Sequence, residues 1–245
     1  MEEFVPKYKS ILDAPPEVIS RYYRGKIVRK LFPHAQSAAR RYSRLSLTFR
    51  ERKKNKVLHE ALVTFKREAM RANDKGNECT QTLMNMGLFY LLAERDIQAV
   101  KIDALTHPDE WKRKLSLRVI LLTIYEWDMG KVTKKDLRNL LSRASVSSDL
   151  QNEFFGALRT LRKAQEKAAK GLRHSRNSVI AHRDPDALSQ VEIIENINAK
   201  EVFEAVEDFY ESARRFMPAF SKVLSQAGSM HGLFAFLIDR EKAHK

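Results

Sequence analysis

Apolar residues recur at steps of three and four along almost the whole chain, and strand-like alternation is scarce. That pattern predicts an all-α protein. The start at Asp13-Ala14-Pro15-Pro16-Glu17, with proline in the first turn, opens a helix predicted to end at Phe32, before Pro33. A further helical stretch runs from about Gln36 to Ala72, and Asn73-Asp74-Lys75-Gly76-Asn77 is the clearest break in the chain. Beyond it the pattern predicts four main helices, over about 78–105, 109–128, from Ser148 through His182, and 199–226. A short helix capped by Thr133 and running through Leu141 is predicted between the second and third. The second main helix is apolar on most sides through Leu115, Leu117, Val119, Ile120, Leu122 and Ile124, which predicts burial. The third carries the stripe Phe154, Leu158, Leu161, Gln165, Ala168, Leu172, Ser175, Val179, His182. On the fourth, Val202, Val206, Phe209, Ala213, Phe216, Phe220 and Val223 share a face, and Pro218 is expected to bend the helix. Short connections favour an antiparallel four-helix bundle. The resulting organisation is a basic helical N-terminal region (1–75), a bundle (76–228) and a short amphipathic C-terminal helix (229–245).

Composition narrows the class. The chain has 245 residues, 43% of them apolar, with 8 Gly and 7 Pro, which excludes collagen-like and low-complexity sequences. A single cysteine, Cys79, leaves no intrachain disulfide or cysteine-based zinc site. The N-terminus does not have the pattern of a signal peptide, and the longest apolar runs fall short of the ~20 residues that span a bilayer. A soluble cytoplasmic protein without membrane contact is the expectation.

The formal charge of +14 is distributed unevenly. Residues 1–75 hold 19 basic and 8 acidic side chains, residues 100–183 hold 18 and 9, and residues 184–245 hold 7 and 11. Positive segments attract polyanions because neutralising phosphates releases condensed counterions. Charge alone leaves nucleic-acid binding and plain solvation of helix faces equally open.

Motifs for phosphate-binding loops, dinucleotide folds and nucleophile elbows are absent. His59-Glu60-Ala61-Leu62-Val63 lacks the second histidine of a helical zinc motif, so neither a metal nor another cofactor is expected. The acidic cluster Glu204, Glu207, Asp208, Glu211 has the spacing of a solvated face. One segment stands apart: Arg173-His174-Ser175-Arg176-Asn177-Ser178-Val179-Ile180-Ala181-His182-Arg183-Asp184-Pro185. It gathers Arg176, Asn177 and His182 within seven residues, and Pro185 disfavours helix at Asp184, so the site is expected to open where the helix ends. An imidazole exchanges protons near neutrality, and a guanidinium holds phosphate through two hydrogen bonds. Together they suit metal-free RNA cleavage. Arg and His are also ordinary residues at a helix C-terminus, where their charge complements the macrodipole.

The stretch Arg176-Asn177-Ser178-Val179-Ile180-Ala181-His182 fits R-N-x4-H, a form of the R-x4-6-H signature, and the chain resembles a HEPN domain over roughly residues 78–226. The continuation His182-Arg183-Asp184-Pro185-Asp186-Ala187, the aromatic-rich helix Phe203–Phe220 and the segment Leu115–Glu126 resemble an abortive-infection branch of that family. The resemblance implies a helical bundle that dimerises so that two signatures face each other, and a metal-independent endoribonuclease of the kind found in toxin–antitoxin and defence systems. It implies His182 as acid/base residue, Arg176 as phosphate and transition-state ligand, and Asn177 as polar partner; the neighbouring Arg173, His174 and Arg183 are expected, on their own account, to contact nucleic acid. The implied partners are RNA, a second copy and an antitoxin or defence protein. Arg176 and His182 lie about 120° apart on one helix, so a twofold partner would improve their convergence. The alternative is a non-catalytic helical protein that grips RNA or nucleotide, or a scaffold that dimerises through the same bundle. A third reading, DNA contact by residues 1–75, has no helix-turn-helix behind it.

Overall fold

The computed structural model describes residues 16–179 and 186–233, and every regular element among them is helical. In chain order these are α1 (Pro16–Asp74), α2 (Glu78–Thr106), α3 (Glu110–Glu126), a 3-10 turn (Met129–Lys131), α4 (Leu137–Arg143), α5 (Ser148–Val179), α6 (Ala187–Glu195) and α7 (Ala199–Ala227). Local chemistry sets several starts. Asn77 caps α2 through Thr80 N, Asp109 caps α3 through Trp111 and Lys112 N, and Asn198 caps α7 through Lys200 N.

The predicted face of α7 and the first part of that of α5 are the buried ones; Leu172, Ser175, Val179 and His182, the rest of the α5 stripe, lie outside the described side chains. Phe154, Leu158, Leu161, Gln165 and Ala168 line the core from α5, and the seven predicted positions on α7 are all buried. Pro218 stands inside α7, which continues to Ala227. Helices α2, α3, α5 and α7 surround one apolar core, into which Trp127 inserts from the end of α3.

Four features differ from the sequence pattern. The helix expected to stop before Pro33 runs through it, making α1 a single helix of 59 residues. A proline removes one backbone hydrogen bond without ending a helix whose other turns remain paired. Thr133 does not cap a helix; its hydroxyl donates back to the Met129 carbonyl, and α4 begins at Leu137 instead. Leu115 is about half exposed, because it lies on the first turns of α3 at the rim of the core. Helix α6 was absent from the pattern: nine residues are too few for a clear periodicity, although Asp186 caps it through Ser189 N.

The break at residues 75–77 is a turn between two packed helices. Gly76 adopts a positive φ of 61°, and α1 then lies antiparallel on α2. The pairs Arg44–Asp103, Lys101–Glu51, Lys54–Glu94 and Arg95–Asn55 mark this register. Leu58 and Ala72 are buried, and Phe65 and Leu62 pack on the common core. The second half of α1 therefore shares the core of the C-terminal helices. Its closest approach is at Gly87, where any Cβ would enter the Phe65 ring. Gly87→Ala is expected to cost about 1–3 kcal/mol by overpacking, read as a lower urea midpoint at unchanged m-value.

Candidate functional site

The register of the core helices decides what surrounds the end of α5. Arg162 pairs with Asp128, and the Gln165 amide donates to the Ile124 and Tyr125 carbonyls, so α3 and α5 run antiparallel. Lys222–Glu153 and Lys167–Asp208 fix α7 antiparallel to α5 in the same way. Carrying both registers to Arg176 brings the last turns of α5 opposite Lys112–Lys114 of α3 and opposite the start of α7. Lys114 closes this end: its Nζ donates to the Glu195 carbonyl at 2.6 Å and pairs with Glu110 at 3.2 Å. It thereby ties α3 to the junction between α6 and α7.

Arg173, His174, Arg176 and Asn177 stand on the last two turns of α5, where the backbone alone is described. His182 and Arg183 lie outside the described residues. The structure thus brings the arginine and the amide to one end of the molecule on a single uninterrupted helix.

Two groups at the same end escaped the sequence reading. The first is on α3: Lys112 is exposed, and Trp111 and Leu115 form an exposed apolar pair at i and i+4. The second comes from α1. Since Arg44 pairs with Asp103 near the end of α2, the residues before about Arg41 extend past this end of the core, some 25 residues or about 37 Å of helix. The phase that seats Leu58, Leu62 and Phe65 on the core continues upward through Arg44, Arg40 and Lys26, with Arg41 on its flank. The face that is apolar against the core therefore becomes a row of cations beyond it. Segment charge counts hinted at this excess, but only the docking of α1 assigns it a face.

A second polar cluster lies between α2 and α7, around a cavity of about 560 Å³. Buried Glu94 accepts from Lys54 at 2.9 Å and from the Gln98 amide at 3.0 Å. The Tyr210 hydroxyl sits close enough to Glu94 and Gln98 for both to act on it, although Glu94 Oε2, Gln98 Oε1 and the hydroxyl make no well-formed hydrogen bond there. Burial, with the Glu94 charge as second cause, pushes the Tyr210 and Tyr90 phenols above their ordinary range. This cluster sits about three turns from the end that carries Arg176, so it is separate from the predicted chemistry. The acidic residues of α7 are engaged at the surface, Asp208 with Lys167 at 2.7 Å and Glu211 with Arg214 at 2.9 Å. Among the described residues no group of three or more His, Cys, Asp or Glu side chains is arranged to hold a metal, and no helix is long and apolar enough to cross a membrane.

Compared with known proteins, the chain matches no family model, no curated protein and no solved structure.

Two outcomes follow from this geometry. Lys114→Met removes the charged donor to Glu195 and is expected to cost about 1–2 kcal/mol, with faster amide exchange confined to the α6–α7 junction. Burial pushes the Cys79 thiol up to about 12, with Arg143 opposing and Glu78 adding. Held protonated in the fold, Cys79 contributes stability that is complete below its ordinary value of about 9 and is lost as pH rises towards 12. The raised phenols act in the same direction at higher pH. Melting temperature should fall from pH 9 to 11, and Cys79→Ala should reduce the early part of that fall.

Proposed function

We propose that the protein is a metal-independent endoribonuclease of the HEPN type, built on an antiparallel four-helix bundle of α2, α3, α5 and α7. It acts as a homodimer on RNA in the cytoplasm, as a toxin or defence effector whose partner protein restrains it. The observation that carries this reading is the delivery of the Arg176-Asn177 pair, on the last turns of α5, to an end of the bundle rich in cations. Lys112 on α3 and the row from Lys26 to Arg44 on α1 supply a path for a phosphate backbone. Trp111 and Leu115 on α3, with Leu188 and Val191 on α6, are exposed apolar residues near that end and suit contact with a second bundle.

In the proposed reaction His182 takes the proton of a 2′-hydroxyl as that oxygen attacks the adjacent phosphorus. Arg176 holds the phosphate and stabilises the charge that builds on it, and Asn177 orients it. The 5′-oxygen leaves with the proton that the His182 imidazolium gives up, giving a 2′,3′-cyclic phosphate and a 5′-hydroxyl. Arg173, His174 and Arg183 contact the flanking RNA. Neither metal nor cofactor takes part.

Purified protein is expected to cleave RNA in excess EDTA and to leave 2′,3′-cyclic phosphate ends. His182→Ala and Arg176→Ala should each lower the rate at least a hundredfold while the circular dichroism spectrum is unchanged. RNA that is bound but never cut, with an affinity that survives both substitutions, would instead establish the non-catalytic binding protein.

A further inference from the structure

The outer face of α1, turned away from α2, is apolar and unpartnered among the described residues. Val28, Leu31 and Phe32 are 58–62% exposed, and Tyr42, Leu45 and Phe49 are 72–81% exposed. They fall on one side of the helix at steps of three and four, joined by Ala35, Ala38, Ala39 and Ser46. No charged residue interrupts this face between Arg24 and Arg50. A continuous apolar strip about 32 Å long is not left in water by a stable protein at working concentration.

We propose that this strip docks on the same strip of a second copy, the two α1 helices lying antiparallel about a twofold axis between Ala38 and Ala39. Three observations select that occupant. First, over the length of the strip the cations of α1 stand off it: Lys26, Arg40 and Arg44 are phased towards the α2 side and Arg41 lies on the flank, with Arg24, Arg50 and Lys53 only at the strip's ends. Two outer faces can therefore meet along the strip with no cation between them, and the cations that do approach, Arg24 over Lys53, do so at its exposed ends, where solvent and salt screen them. An acidic partner or a nucleic acid would find no cation within the strip to pair with. Second, the strip is self-complementary in size about its centre. In the antiparallel register Tyr42 lies over Ala35, Leu31 over Ser46, and Phe49 over Val28, so in these pairs a larger residue meets a smaller one, while Phe32 meets Leu45. Third, the alanines at the midpoint let the helices approach closely where the axis passes, with Phe32 and Leu45 packing on either side. A lipid surface has no need of such a pattern. This interface is distinct from the bundle end and does not rest on the ribonuclease reading.

The test uses the full chain, whose single native cysteine, Cys79, is buried. Ala39→Cys is expected to be linked to its own copy by a short bismaleimide in good yield. Val28→Cys alone is not, since its two copies would stand about 31 Å apart. A mixture of Val28→Cys and Phe49→Cys is expected to give the crossed product. Leu31→Glu with Leu45→Glu should lower the mass seen by sedimentation velocity and abolish the Ala39→Cys link, with helicity unchanged because both residues are exposed. Absence of the Ala39→Cys link overturns the inference, and so does self-linking of Val28→Cys, which would mean a parallel pair. Flotation with phosphatidylserine vesicles by a protein that shows no Ala39→Cys link would assign the strip to membrane instead.

Discussion

The fold depends on one cluster of aromatic rings to which every long helix contributes. Trp127, at the end of α3, packs on Phe209 of α7 with centroids 4.3 Å apart and on Tyr90 of α2 at 5.0 Å. Phe154 of α5 meets Phe216 at 5.8 Å, Phe216 stacks on Phe220 at 5.4 Å, and Phe65 of α1 reaches Phe220 at 6.4 Å. Aromatic pairs at these separations contribute about 0.5–1.5 kcal/mol each beyond the area they bury. Since α7 supplies a ring to nearly every pair, its apolar face acts as the spine against which the other helices find their height.

Fixing the helices at mid-height has a consequence at the ends. Rotation and sliding are suppressed in the middle, so the ion pairs farther out hold one register, and the last turns of α5 come to a defined place. Arg176 and Asn177 are carried there by about 28 residues of helix beyond the start of α5, and the Lys114–Glu195 contact steadies the neighbouring corner. The buried carboxylate of Glu94 contributes differently. Buried, it costs desolvation, and its pairing to Lys54 ties α1 to α2 at one height only. That is a device for register more than for stability.

Much of this was legible in the sequence because strong periodicity survives folding. Phe154 to Ala168 on α5 and Val202 to Val223 on α7 alternate by three and four without exception, and both faces are buried as the pattern requires. The breaks at Asn77 and Asp109 carry capping side chains that announce them. What was illegible has a common cause: those features are set by neighbours, not by local pattern. Pro33 reads as a stop, yet the helix passes through it. Leu115 reads as core, yet the packed layer ends just beneath it. Nothing local in Leu58, Leu62 and Phe65 says that they pack on α2 and α7, and so residues 1–75 read as an extension. At the predicted site, the spacing of Arg176, Asn177 and His182 was visible, whereas it takes tertiary packing to bring Lys112 and the α1 cations to the same end of the molecule as Arg176 and Asn177.

Helix α1 shows why that distinction matters for function. A straight helix keeps one phase along its length, so the side that meets the core at Phe65 is also the side that overhangs the core's end at Lys26, and the opposite side stays outward throughout. The two halves of the helix thus solve different problems with the same geometry. Below, apolar residues on the inner side join the aromatic cluster. Above, with no core to meet, the inner side is free to carry charge while the outer side carries the hydrophobic residues. An amphipathic pattern that inverts along one helix averages out in any summary of its whole length. For that reason a helix with two well-defined faces passes, in composition, for a merely basic one.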